Sequence, residues 1–202
     1  VLYHRPVPQR LVQPVAERVM SFGYHLQMYY EDRLCMEKLT PEGQAYVDLA
    51  GVEVTLVDDL LQACPEPTKI LICNFDEIKL DQLAAALQAD FGQELYITKS
   101  KPYYLEALHP EATKGQALKK VADYFQIPRE SVIAIGDSYN DLDMIQFAGL
   151  GVVMGNAREE IKRLADYITE TNEDDGVAEV LDRFVLTQAF RDTGDNTANY
   201  FG

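Results

Sequence analysis

The stretch from Ser131 to Gly155, SVIAIGDSYNDLDMIQFAGLGVVMG, constrains this chain more than any other. An apolar run, Val132 to Ile135, stops at Gly136-Asp137, and a polar cluster of Ser138, Asn140 and Asp141 follows. Leu142, Ile145 and Ala148 then recur at helical spacing, and a second apolar run spans Leu150 to Met154. The order is strand, loop, helix, strand, which places Asp137 where a parallel strand meets its loop. Open α/β sheets bind ligands at that edge. Carboxylates there lose hydration unless something positive lies between them. Asp137, with Asn140 and Asp141 close by, suits a hard cation that takes oxygen ligands, Mg²⁺ before others. Ser138, Asn140 and Asp141 are also helix-capping residue types, and capping accounts for one of the three.

Gly136-Asp-Ser-Tyr-Asn-Asp-Leu-Asp-Met144 resembles the GDxxNDxxM signature of the haloacid dehalogenase superfamily, in its Cof-type phosphatase branch. Thr113-Lys114-Gly115 resembles the lysine motif of that branch. Met154-Gly155-Asn156-Ala157 and Asn172 to Ala178 resemble its closing segments. The motifs stand in the family's order and cover roughly Leu105 to Leu181, far more specific than a lone GxGxxG. The resemblance implies a Rossmann-like parallel-sheet core, an α/β cap unit, bound Mg²⁺ and phosphatase chemistry. Within it Lys114 would hold phosphoryl oxygens and Asp137 the metal. Asn140 would contact the phosphoryl group, and Asp141 would support Lys114 or the metal shell. Ser138 would assist or cap. Asp143, on an exposed face, and Met144, in packing, are structural, while Asn172 and Asp175 shape the loop before the last helix.

One family element is missing. The DxDGT-like motif that carries the aspartate nucleophile is not found. Lys69-Ile-Leu-Ile-Cys-Asn-Phe-Asp76 ends an apolar run with an acid but lacks the paired Asp, the Gly and the Thr. Asp76 reads instead as the cap of a helix starting near Ile78, and Asp58-Asp59 is no better a nucleophile. The expectation is that a first core strand bearing the nucleophile lies outside this sequence, and that residues 1–202 alone are catalytically inactive.

With 202 residues, 47% of them hydrophobic, the chain is long enough for one or two domains. A formal net charge of −15 repels nucleic acid and anionic membranes. It also disfavours a phosphorylated substrate unless local Lys, Arg and metal reverse the field, which points to a small phosphoester in a focused site. Cys35, Cys64 and Cys73 show no metal spacing, and nothing pairs them as disulfides. No stretch is long and apolar enough to span a membrane and no signal peptide is visible, so the expected setting is a reducing cytoplasm.

Along the chain, the expected elements are a helix at Gln9 to Phe22 and two strands around Glu31-Asp32-Arg33. A helix opened by Thr40-Pro41, a strand at Val52 to Val57 and another at Lys69 to Cys73 come next. Leu80 to Phe91 reads as a helix, Glu94 to Thr98 as a strand and Lys99 to Pro102 as a linker. Residues 1–100 match the position of the cap. Residues 101–187 would be the core, beginning with a strand at Tyr103 to Ala107. Thr113 then opens a helix in a capping box with Gln116, its Leu118, Val121, Ala122 and Phe125 facing inward. A strand at Tyr167 to Thr169 and a helix at Val177 to Leu186 close the core, and 188–202 is a polar tail. Tyr29, Tyr30 and Arg33 lie on a hairpin that reaches the site or is merely solvated. His4, His25 and His109 share no motif. The alternative to a phosphatase is a non-catalytic phosphate- or metal-binding module, and a phosphomutase shares the same motifs. Substrate identity and oligomeric state are not encoded legibly.

Overall fold

In the computed structural model residues 1–186 are described, and the expected polar tail lies outside them. Helix α1 (Gln9–Ser21) buries Leu11, Val12, Val15, Ala16 and Val19 along one stripe. Strands β1 (His25–Tyr30) and β2 (Arg33–Met36) form the expected hairpin. Helix α2 (Pro41–Ala50) starts as its sequence predicts, with Pro41 in its first turn and the Thr40 side chain accepting from Gly43 N–H. Strand β3 (Val54–Leu56) and the short helix α3 (Leu60–Ala63) follow, the latter capped by Asp59. After β4 (Lys69–Cys73), Asp76 caps α4 (Glu77–Phe91) by accepting from Lys79 N–H. Both decoy acids are therefore capping residues.

Strands β5 (Tyr96–Lys101) and β6 (Tyr104–Leu108) form an antiparallel hairpin. This corrects two expectations. Lys99 to Pro102 is strand and turn, not a linker. Residues 101–108, assigned from sequence to the second unit, belong to the first sheet, because β6 pairs with β4 through Ile70↔Ala107 and Ile72↔Leu105. The resulting sheet has the order β3-β2-β1-β4-β6-β5 and is antiparallel except between β2 and β3.

The two faces of this sheet differ in character. Met28, Ile70, Ile72, Leu105 and Ala107 project from one face into the main core, where α1 and Leu80, Leu83 and Leu87 of α4 cover them. Apolar burial contributes roughly 25 cal/mol per Å², and this is the largest buried apolar cluster among the described residues. Alternation sends Gln27, Leu71 and Glu106 to the other face, where α2 covers only part of the area. Tyr46 of α2 inserts there, edge-on to Tyr104 with ring centroids 5.2 Å apart, its hydroxyl 3.1 Å from that of Tyr29.

Helix α5 (Lys114–Phe125) leads to β7 (Ile133–Gly136), α6 (Leu142–Phe147) and β8 (Leu150–Val153). Then come α7 (Glu159–Lys162), β9 (Tyr167–Ile168) and α8 (Gly176–Leu181). The sheet order is β7-β8-β9, all parallel, as the apolar runs predict. Ala122 and Leu118 of α5 pack against Val132, Ala134 and Ala148. Val121 and Phe125, expected to face inward, are 40% and 62% exposed. Among the described residues only the Leu118–Ala122 stripe of α5 is covered, by Val132, Ala134, Ala148, Met144 and Phe147, and Val121 and Phe125 lie outside it. At the N-terminus, Tyr3 and Arg5 bind Glu111, tying the extended segment to the loop before α5. Among the described residues no helix is long and apolar enough to cross a membrane. The three cysteines are buried and free, and burial pushes the Cys64 and Cys73 thiols up to about 12.

His25 is buried against α2, its Nε2 3.0 Å from Gln27 Oε1. Burial pushes its pKa below the ordinary value. The unfolded chain therefore takes up this proton at a higher pH than the fold does. Stability from the neutral ring is complete above about pH 6.5 and is lost as the pH falls toward the lower folded value. Urea midpoints measured from pH 7.5 to 5.5 should decline for the wild type and decline less steeply for His25→Gln.

Candidate active site

Strand β7 ends at Gly136, and a Cβ there would lie 2.5 Å from Asp141 Cβ. Glycine thus lets the Asp141 side chain fold back beneath the strand end. Its Oδ2 accepts from the backbone N–H groups of Asp137 and Ser138, each at 3.0 Å. Its Oδ1 accepts from Lys114 Nζ. Asp141 is only 3% exposed, whereas half of the Lys114 side chain meets solvent. A buried carboxylate with two N–H donors and an ammonium partner has its lost hydration offset. Of the three capping candidates two cap rather than one: Ser138 and Asp141 form a capping box around the turn Tyr139–Asp141. Of its two expected partners, Asp141 contacts Lys114.

Lys114 opens α5, whose N-cap Thr113 accepts from Gln116 N–H at 3.2 Å. The dipole of α5 adds positive potential beside the ammonium, although the Gly115 and Gln116 N–H groups already donate to Asp143 and Thr113. Asp143, expected on an exposed face, instead accepts from Gly115 N–H at 2.8 Å and locks α6 to the start of α5. Its Oδ1 is buried and finds no partner among the described residues. A Cβ on Gly115 would come within 2.7 Å of the Asp143 backbone, so glycine is required for this close approach.

Asp137 is exposed at the strand end, and the desolvation argument made from sequence therefore applies to Asp141. Asp137 Oδ1 accepts from Ser138 Oγ at 3.1 Å, and Oδ2 lies 3.4 Å from Asn156 Nδ2. Asn156 in turn accepts from Asn172 N–H at 3.1 Å. Asp175 takes a left-handed turn before α8, so both Asn172 and Asp175 shape that loop as expected. Among the described residues no group of three or more His, Cys, Asp or Glu could hold a metal. Asp137 alone still offers hard oxygen donors, and Mg²⁺ commonly keeps several waters and takes one or two carboxylates. The donor chemistry fits that ion.

Two cavities flank this cluster. One of about 400 Å³ lies between Lys114 and Asn140 on one side and the partly covered face of the six-stranded sheet on the other. The second, about 220 Å³, is lined by Asp137, Ser138, Asn156 and Arg158 together with Lys99 and Lys101. Lys101 lines both. The four predicted site residues are thus brought to one place, Lys114, Asp141 and Asp137 through direct bonds and Asn140 beside Lys114. Lys99, Lys101 and Arg158 were missed. They bring cationic groups to the cavities, but Lys99 is paired with Glu77 and Asp81 and Arg158 with Glu77, so Lys101 is the one of the three with no carboxylate partner among the described residues. Only the lysines in the supposed linker hinted at these groups. Glu77 joins Lys99, at 3.3 Å, to Arg158, and the Arg158 hydrogen bond holds the Glu77 carboxyl below its usual range. Arg33 pairs with Glu31 at the surface, His4 binds Thr68, and His109 accepts from Glu111 N–H.

An acid and a lysine converging at the carboxyl end of a parallel sheet, opposite a mixed sheet, define an α/β protein with a strand-end ligand site. The chain belongs to the haloacid dehalogenase-like hydrolase family, whose profile matches residues 1–181. It is 40% identical to a "Putative phosphatase" of Haemophilus influenzae over 131 residues, 65% of this chain and 48% of that protein. It is 48% identical to the "5-amino-6-(5-phospho-D-ribitylamino)uracil phosphatase YcsE" of Bacillus subtilis over 95 residues, 47% of this chain and 38% of that one. A crystal structure of a haloacid dehalogenase-like hydrolase from Bacteroides thetaiotaomicron superposes with a TM-score of 0.75 and 35% identity, covering 90% of this chain and 68% of the other. The chain spans about half or less of the length of these two curated relatives.

Gly136→Ala should force Asp141 away from the Asp137 and Ser138 N–H groups. Overpacking of this kind destabilises by about 1–3 kcal/mol, which urea denaturation will read. The unchanged midpoint of a surface control such as Gln146→Ala distinguishes this from a general loss.

Proposed function

We propose that the protein is a Mg²⁺-dependent phosphatase of small phosphorylated metabolites, sugar phosphates or phosphorylated cofactors, acting through an aspartyl-phosphate. The observation that carries this reading is the Lys114–Asp141 pair standing directly beneath the Asp137 strand end, with a cavity on either side. Lys114, at the positive end of the α5 dipole, holds the phosphoryl oxygens and offsets charge as the transition state forms. Asn140 donates to the same group. Asp137 would hold Mg²⁺, which neutralises phosphoryl charge when bound.

The nucleophile is an aspartate from outside residues 1–202. Its carboxylate attacks phosphorus, the ester oxygen leaves and takes a proton, and water then hydrolyses the acyl phosphate to free phosphate. Strand β7 supports this, since β8 is its only ladder partner among the described residues and a further strand can add beside Asp137. Residues 101–108 aside, the expected division stands as part of the proposal. The six-stranded unit acts as the cap that closes over the site and selects the substrate, and the three-stranded unit carries the chemistry. The phosphatase names of the two relatives support the same reading.

Phosphate release should be measured with a panel of phosphomonoesters, Mg²⁺ and the protein carrying the nucleophile. Asp137→Ala should remove more than 99% of the activity while leaving the circular dichroism spectrum intact. Lys114→Ala should lower kcat by about 10²–10³. A fully active Asp137→Ala variant contradicts the metal assignment. Mg²⁺-dependent release by purified residues 1–202 contradicts an external nucleophile.

A further inference from the structure

The two cavities beside the Asp137 strand end share one stretch of wall, Ser100-Lys101. Lys114 and Asn140 line the first cavity, Asp137 and Ser138 the second. Asp141 binds Lys114 through one oxygen and the Asp137 N–H through the other, so the two sides belong to one cluster. A phosphoryl group that reaches both Lys114 and Asp137 therefore lies at this boundary, against the tip of the β5–β6 hairpin.

A bulge brings Lys101 there. In regular alternation Lys99 and Lys101 would share one face of the sheet. The ladder instead pairs Lys99 with Leu105 and Lys101 with Tyr104, so Ser100 is an extra residue on β5. Residues directly opposite each other project to the same side. Lys99 follows Leu105 to the main-core face, where Glu77 at 3.3 Å and Asp81 at 2.7 Å hold its ammonium. Lys101 follows Tyr104 to the opposite face, which the first cavity adjoins.

Charge sets Lys101 apart from its neighbours. Lys69 is bound to Glu106, Lys114 to Asp141, and both Lys99 and Arg158 to Glu77. A carboxylate in contact cancels much of the attraction that a cation exerts on a third charge. Lys101 is exposed and has no carboxylate partner among the described residues. Thr98, Ser100, Thr113, Asn140 and the tyrosines of the first cavity offer hydrogen bonds but no charge. Among the described residues that line the two cavities, Lys101 is thus the one cation that an entering phosphate meets unneutralised.

We propose that Lys101 binds the phosphoryl oxygens of the substrate, a charge-assisted contact supplied by the six-stranded unit to the group that Lys114 holds from the three-stranded one. This rests on the phosphatase reading and adds to it a residue that touches the reacting group. The contact is to the part common to every phosphomonoester, so it raises affinity without choosing among leaving alcohols. The bound phosphate joins the two units.

Inorganic phosphate binding to residues 1–202, followed by phosphorus NMR, tests the proposal without turnover. Lys101→Ala should weaken binding about tenfold, as expected for the loss of one charge-assisted contact. Lys38→Ala removes the same charge from the loop before α2, outside both cavities, and should leave the affinity unchanged. Phosphate should also slow amide hydrogen exchange across residues 99–104 in the wild type and not in Lys101→Ala. No binding by the wild type, an unchanged affinity in Lys101→Ala or an equal loss in Lys38→Ala overturns the proposal. If Lys114→Ala weakens phosphate binding and Lys101→Ala does not, the proposal fails and the phosphatase reading stands. If both weaken it but the protein carrying the nucleophile releases no phosphate from any ester, the phosphatase reading fails and the Lys101 contact stands.

Discussion

Everything at the carboxyl end of the parallel sheet hangs on one buried carboxylate. Asp141 receives the N–H groups of Asp137 and Ser138 on one oxygen and the Lys114 ammonium on the other. The first two bonds hold the loop after β7 in a tight turn and aim Asp137 outward. The third fixes a flexible lysine at the start of α5, twenty-seven residues earlier in the chain. Asp141, 3% exposed, would cost stability if left unpaired, and the half-exposed Lys114 ammonium together with the two N–H groups offsets that penalty. Gly136 and Gly115 are the steric conditions for the arrangement, since a methyl group at either would collide with Asp141 or Asp143.

The local field follows from the same geometry. A chain with a net charge of −15 presents Lys99, Lys101, Lys114 and Arg158 around the two cavities at this edge. Three of them are paired with carboxylates, Lys99 with Glu77 and Asp81, Arg158 with Glu77 and Lys114 with Asp141, which leaves Lys101 without such a partner among the described residues. Two of the four, Lys99 and Lys101, come from the β5–β6 hairpin of the opposite sheet. The cationic groups at this edge thus come from both units.

What the sequence disclosed and what it hid divides along one line. Asp137, Asn140 and Asp141 were legible because their geometry is local: a strand end, a tight loop and a helix start are written in nine consecutive residues. Thr40, Asp76 and Thr113 were readable as caps for the same reason. Lys99 to Pro102 was misread because its polarity resembles a linker, while its strand character comes from pairing with β6, and β6 in turn joins β4 some thirty residues away. Register of that kind leaves no local trace. Glu106 and Lys69 look like ordinary strand polar residues until alternation puts them on a face that α2 leaves partly open. Val121 and Phe125 fit a helical stripe, yet no described element covers them.

The central claim is that Lys114 and Asp141 act as a single phosphate-holding unit. The most direct measurement is a double-mutant cycle on the affinity of residues 1–202 for inorganic phosphate, followed by phosphorus NMR. Lys114→Ala and Asp141→Asn should each weaken binding at least tenfold, and the double variant should be no weaker than the worse single one, a coupling expected of groups in direct contact. Losses that multiply, or an Asp141→Asn variant that binds phosphate as the wild type does, would contradict the account.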